Sequence, residues 1–283
     1  SPDTGQQIPV INPDTGAPVF GNPMDRAFDM SRFLNPWGPQ TIIFDPTDPR
    51  ASKNGSFRIL DTSTGKVLDP PGLHNKELDW RSCWYPPVDE AEAEKKPQLI
   101  ITDPATINTF DITTGEQKNL SVEIPEGWHM RGIVTATRTK NGQLLVAYDL
   151  KKDGFPLREK VFVYNIDTQR LVTSLEGGVI PLLSPDGVHL VYIDYGTSEL
   201  KIVDVYDPSR ASQTLGTVSK IPEPAKLQGL GARGTIDHSG AWHNTVFSPD
   251  GAYLAYHAAW NSNTGANAAM LYDVQSDTIR ELS

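Results

Sequence analysis

Cysteine is almost missing from this chain: Cys83 stands alone in 283 residues. No internal disulfide can form, and no cysteine pair is present to hold a metal. No apolar run approaches the roughly 18 residues that a membrane-spanning helix needs, so none is expected. Positive charge is also scarce, with 25 Lys and Arg against 35 Asp and Glu, a net charge of −10. Phosphate backbones are held by clustered Lys and Arg, and no such cluster occurs, which excludes nucleic acid as the expected partner. A Gly-x-Ser-x-Gly elbow, a Walker loop, a Rossmann glycine pattern and a His-Glu-x-x-His motif are all absent, which removes the chemistries that those motifs serve. Helical periodicity is nearly absent as well.

Turn-forming residues are plentiful, 23 Gly and 23 Pro in a chain that is 38% hydrophobic, and this suits many short strands joined by tight turns. One phrase occurs twice: Leu183-Ser184-Pro185-Asp186-Gly187 before Val188-His189-Leu190-Val191-Tyr192, and Phe247-Ser248-Pro249-Asp250-Gly251 before Ala252-Tyr253-Leu254-Ala255-Tyr256. Proline sets φ at one turn position, Asp bonds the nearby backbone and Gly takes the positive φ, so each copy reads as a β-hairpin. A third copy, Lys140-Asn141-Gly142 before Leu144–Tyr148, lacks the proline.

A second element is a strand, then Asp or Asn, a short turn and another strand. It starts at Asn12, Asp61, Asp111, Asn165, Asp207 and Asp273, at intervals of 49, 50, 54, 42 and 66 residues. Periods of this size with about four short strands each point to an all-β β-propeller built of four-stranded antiparallel blades. The expectation is a single domain, residues 1–283, with six blades. Five are clear, at about 25–70, 73–122, 127–176, 177–218 and 239–283, and a partial one lies at 6–20. Residues 219–238 supply the missing strands of the sixth, or those strands lie on sequence beyond this chain. The long interval also marks residues 220–234 as an insertion, whose glycines serve either close approach to a ligand or plain flexibility.

The Ser-Pro-Asp-Gly turn followed by an apolar strand ending in Tyr resembles the repeat of TolB-like propellers, also called the PD40 or WD40-like repeat. The likeness is carried by residues 184–192 and 248–256, more loosely by 140–148. Poorer copies at 43–48 and 100–104 leave the amino-terminal half resembling a propeller mainly in spacing. The resemblance implies an exported, periplasmic or secreted protein. The chain opens at Ser1 without a methionine or an apolar leader core, consistent with a processed export product or a trimmed chain.

Two clusters carry candidate chemistry. Asp79–Pro87 supplies Arg81, Trp84 and Tyr85, whose stacking surface suits a sugar ring or a protein hot spot and equally suits blade packing. The stretch from Ile236 to Asn261 holds His238, Trp242, His243, His257 and Trp260. Neutral imidazoles there are candidate ligands for a divalent metal, and the alternative is a histidine bonded to the wall of the fold. That stretch, and nothing else in the chain, resembles metal-dependent uronate lyases of the oligogalacturonate type. The acidic run Asp89–Lys96 reads as a solvated loop. The leading expectation is therefore a non-catalytic propeller without a cofactor, binding a protein or carbohydrate at one rim and channel mouth through Arg81, Trp84, Tyr85, Trp242 and Trp260. Beside it stand a metal-dependent polysaccharide lyase or hydrolase using His238, His243 and His257, and the scaffold part of a larger protein or complex.

Overall fold

The computed structural model describes residues 35, 38–45, 56–68, 70, 83–88, 97–103, 105–152, 158–209, 212–217, 245–259 and 267–282. Among these residues every regular element is a strand. The strands form five antiparallel sheets of the β-propeller blade type, joined in chain order. The sixth blade expected from 6–20 and 219–238 falls outside the described residues.

The chain divides into two compact units, residues 1–101 with 108–118, and residues 102–107 with 119–283. The first unit holds a sheet of β1 (Gln40–Asp45), β2 (Ser56–Asp61) and β3 (Lys66–Leu68). It also holds most of a second sheet, β4 (Cys83–Trp84), β5 (Gln98–Asp103), β6 (Thr106–Asp111) and β7 (Gln117–Asn119). Alternation along each strand puts one set of side chains on one side. Ile42, Ile59 and Leu68 of the first sheet thus meet Trp84, Leu99, Ile101, Phe110 and Ile112 in a single core.

The second unit contains three four-stranded sheets. The third sheet is β8 (Trp128–Arg138), β9 (Leu144–Lys152), β10 (Arg158–Asn165) and β11 (Arg170–Glu176). The fourth is β12 (Gly178–Leu183), β13 (His189–Asp194), β14 (Glu199–Asp204) and β15 (Gln213–Thr217). The fifth is β16 (Val246–Phe247), β17 (Tyr253–Ala259), β18 (Asn267–Asp273) and β19 (Thr278–Glu281). The fourth sheet lies between the other two, which explains its near-continuous apolar strands. Leu190, Tyr192, Val203 and Val205 pack on Leu145, Ala147, Val161 and Val163 of the third sheet. Their alternates Val191, Ile193, Leu200 and Ile202 pack on Phe247, Leu254, Tyr256, Met270 and Tyr272 of the fifth. Each fully buried aliphatic side chain here contributes about 1.5–3 kcal/mol. Tyr256 also donates from its hydroxyl to the Leu215 carbonyl at 2.7 Å, and burial pushes that phenol up to about 12.

The Asp-led turns close as their side chains dictate. Oδ1 of Asp61 accepts the N–H groups of Ser63 and Thr64, Asp111 those of Thr113 and Thr114, and Asp273 those of Gln275 and Ser276. In the fourth sheet the turn after β14 is led by Asp204, not Asp207: Asp204 Oδ1 accepts from Tyr206 N and Asp207 N. Asp194 leads a similar turn between β13 and β14.

Candidate functional site: the turn end of the second unit

The repeated phrase builds one end of the second unit. In the turn between β12 and β13, Ser184 Oγ donates to Asp186 Oδ1 at 2.6 Å and accepts from His189 N at 2.8 Å, while Asp186 Oδ1 also accepts from Val188 N. The turn between β16 and β17 repeats this bond for bond, with Ser248, Asp250, Ala252 and Tyr253 at 2.6, 3.0 and 2.9 Å. The third copy closes one residue sooner: Thr139 takes the serine's place and its Oγ1 accepts from Gln143 N at 3.2 Å.

These turns also stack from sheet to sheet. Gly187, at φ 73°, leaves so little room that an added Cβ would meet Thr139 Cγ2 at 3.1 Å and Leu145 Cδ1 at 3.2 Å, both in the preceding sheet. Thr137 Oγ1 donates to the Pro185 carbonyl across the same junction at 2.7 Å. The position of a Cβ on Gly251 lies 3.7 Å from Pro185 and Asp186. Three turns thus lie side by side in a ledge, the first two joined by a hydrogen bond and the third in van der Waals reach of the second.

Large side chains stand out from this ledge. Tyr206 is 56% exposed, Val246 43% and Tyr253 41%, where a core position would be covered. Around them are the carboxylates of Asp186, Asp204, Asp207 and Asp250. The Ser248 hydroxyl and then the Ala252 N–H hold Asp250 below the ordinary carboxylate range, so it stays charged. Partial burial, followed by Asp204 and Asp186, pushes the Tyr206 hydroxyl up. The arrangement is hydrogen-bonded turns presenting amphipathic tyrosine rings beside carboxylates in the fourth and fifth sheets, with Arg138 and Lys140 at the turn of the third, and its carboxylate side suits a ligand carrying both apolar surface and positive charge.

Of the side chains singled out from sequence as binding or metal-ligating, those of Trp84 and Tyr85 are among the described residues. Trp84 is only 4% exposed and belongs to the first unit's core, the packing role weighed beside stacking. Tyr85 is half-buried, its N–H bonded to the Gln98 carbonyl at 2.9 Å. Arg81, His238, Trp242, His243 and Trp260 lie outside the described residues, as does the side chain of His257, whose backbone pairs with Ala269. Among the described residues no three His, Cys, Asp or Glu side chains gather as a metal site requires. The sequence reading missed Tyr206. Its signal was a tyrosine directly inside an Asp-led turn, where small polar residues are the rule.

No protein-family model and no curated protein matches the chain. Solved structures similar to it include propellers. The β-propeller domain of the trilobed protease from Pyrococcus furiosus is 14% identical at a TM-score of 0.35, covering 53% of this chain. The chain spans only 41% of that protein's length. The oligogalacturonate lyase of Vibrio parahaemolyticus is 10% identical, with 96% of this chain and 83% of that one covered and a TM-score of 0.45. A putative TolB from Agrobacterium tumefaciens is 12% identical, with 87% and 78% covered and a TM-score of 0.45. At such identities the likeness concerns the fold alone.

Proposed function

We propose that this chain is a binding propeller whose ligand is a protein segment rich in Lys or Arg, held on the turn end of the second unit. The observation that carries the reading is Tyr206, exposed on a turn that Asp204 Oδ1 closes by accepting from Tyr206 N and Asp207 N, with Asp186 nearby. Tyrosine on a pre-ordered backbone gives contact area at low entropic cost, and surrounding carboxylates steer a cationic partner to it. Carbohydrate is the less fitting ligand of the two expected, since a neutral sugar gains nothing from the charge of those carboxylates. In this reading the protein is exported, as the resemblance of its repeat to TolB-like propellers implies, and no helix among the described residues is long and apolar enough to cross a membrane.

The test sets an array of immobilised peptides of graded charge beside an array of neutral and acidic oligosaccharides. Retention on the cationic peptides is expected, falling about ten-fold in Tyr206→Ala and in Tyr253→Ala while both variants melt as the unaltered protein does. Retention on sugars instead, or cationic-peptide binding indifferent to both substitutions, would overturn the assignment.

A further inference from the structure

Charged side chains also lie inside the second unit, away from the ledge. Asp149 on β9 and Glu159 on β10 are buried, at 0% and 3% exposure. The register pairs Val161 with Asp149 and Glu159 with Lys151, so Asp149, Lys151 and Glu159 share the side of the third sheet that packs on the fourth. Arg131 of β8 reaches the same place, its Nη1 3.3 Å from Glu159 Oε1. Glu159 Oε2 is buried and has no hydrogen-bond partner among the described residues.

Across the junction, Asp149 Oδ2 accepts the N–H of Ile180 on β12 at 3.2 Å. Ile180 is β-branched yet sits at φ 58°, beside a shift of register between Val179 and Leu182. A β-branched residue in the left-handed region is held there only by its surroundings. The Glu159 carbonyl accepts from Gly177 N at 2.8 Å, and the Gly177 carbonyl accepts from Tyr195 N at 2.8 Å, so the Glu159 backbone anchors the link into the fourth sheet.

A carboxylate taken out of water with one long guanidinium contact and an idle second oxygen is poorly compensated, so its neutral form is favoured. Burial accordingly pushes Glu159 up to about 7, with Arg131 opposing, Asp149 adding and Lys151 opposing. We infer that Glu159 is a proton-operated latch on the junction of the third and fourth sheets. With its proton the carboxyl packs as a neutral group and the Gly177–Ile180 segment stays shut. Without it, the buried charge draws Arg131 and solvent toward Oε2, and the strained segment opens.

The groups facing Glu159 are Asp149 and Lys151 from β9 and His129 and Arg131 from β8. On that side β11 brings Thr173 and Leu175, and the fourth sheet brings Gly178, Ile180 and Tyr192. His129 is the histidine on that side, so its substitution is the control against which that of Glu159 is read.

Hydrogen exchange of residues 177–183, corrected for the intrinsic base-catalysed rate, separates them. Protection is expected to fall about ten-fold between about pH 5 and pH 8 in the unaltered protein and in His129→Gln, and to stay level in Glu159→Gln. Level protection in the unaltered protein, a fall that survives in Glu159→Gln, or one lost in His129→Gln would overturn the latch. Should Glu159→Gln not fold, the carboxyl carbon shift of Glu159 and the amide shift of Ile180 are followed together in the unaltered protein. A common midpoint supports the latch, and different midpoints refute it.

Discussion

Gly142 and Gly187 hold the same place in two copies of one turn, both in the left-handed region at φ 78° and 73°, and differ in what surrounds them. Nothing lies within 4 Å of a Cβ built on Gly142, whereas one on Gly187 meets three side-chain carbons within 3.4 Å. Alanine at 142 should therefore cost about 1–2 kcal/mol, the left-handed penalty alone. Alanine at 187 adds overpacking of about 1–3 kcal/mol to that, a difference that urea unfolding resolves. Equal midpoints would mean that the turns do not stack. Glu159 gives a second prediction at this scale. Its folded value, about 7, lies above the ordinary 4.5, so its contribution to stability is complete below about pH 4.5 and is lost as pH rises through 7. The loss is at most about 3 kcal/mol, and Glu159→Gln should flatten the melting profile between those limits. A profile unchanged by the substitution contradicts the assignment. Turn chemistry was legible in the sequence because Ser, Asp and Gly bond within five residues. The meeting of Asp149, Glu159 and Arg131 was not, because pairing across three strands and a bulge in β8 decides which side Arg131 takes.

The strands themselves were readable wherever both neighbours are sheets. Leu190-Val191-Tyr192-Ile193 is apolar throughout because alternate residues face the third and fifth sheets. Leu190→Ala should cost about 2–5 kcal/mol by calorimetry or denaturant, and Ile279→Ala, at a partly exposed position of β19, about 0.5 or less. A reversed order would place the core wrongly. The Asp-led turn was misplaced by three residues in the fourth sheet, since Asp204 and Asp207 both precede suitable turn residues and Pro208 draws attention to the second. Backbone donors, which the letters do not display, make the choice. Trp84 was ambiguous for a related reason: a large aromatic next to a strand suits a rim or a core, and only the neighbouring sheet's Ile42 and Ile59 decide it.

At the scale of the whole molecule, the net charge of −10 sets how a cationic ligand would arrive. Association with a Lys-rich or Arg-rich peptide should slow steeply between low and physiological salt while dissociation changes little, because screening weakens steering more than close contact. Stopped-flow binding at two ionic strengths measures this, and salt-independent association would argue for a neutral ligand. Fold class follows from spacing and turn chemistry, whereas the ligand depends on a few exposed side chains that the repeat does not specify. The stacked turns bear on how the second unit is built during synthesis. Gly187 rests on residues 137–145 and Gly251 on Pro185 and Asp186, so each turn is seated on one made earlier in the chain. Within the second unit, a chain growing from its amino end makes the turn of the third sheet before the turn that rests on it, and that of the fourth before that of the fifth. Removing the third sheet therefore takes away the surface on which the fourth is laid, while removing the fifth leaves both earlier turns complete.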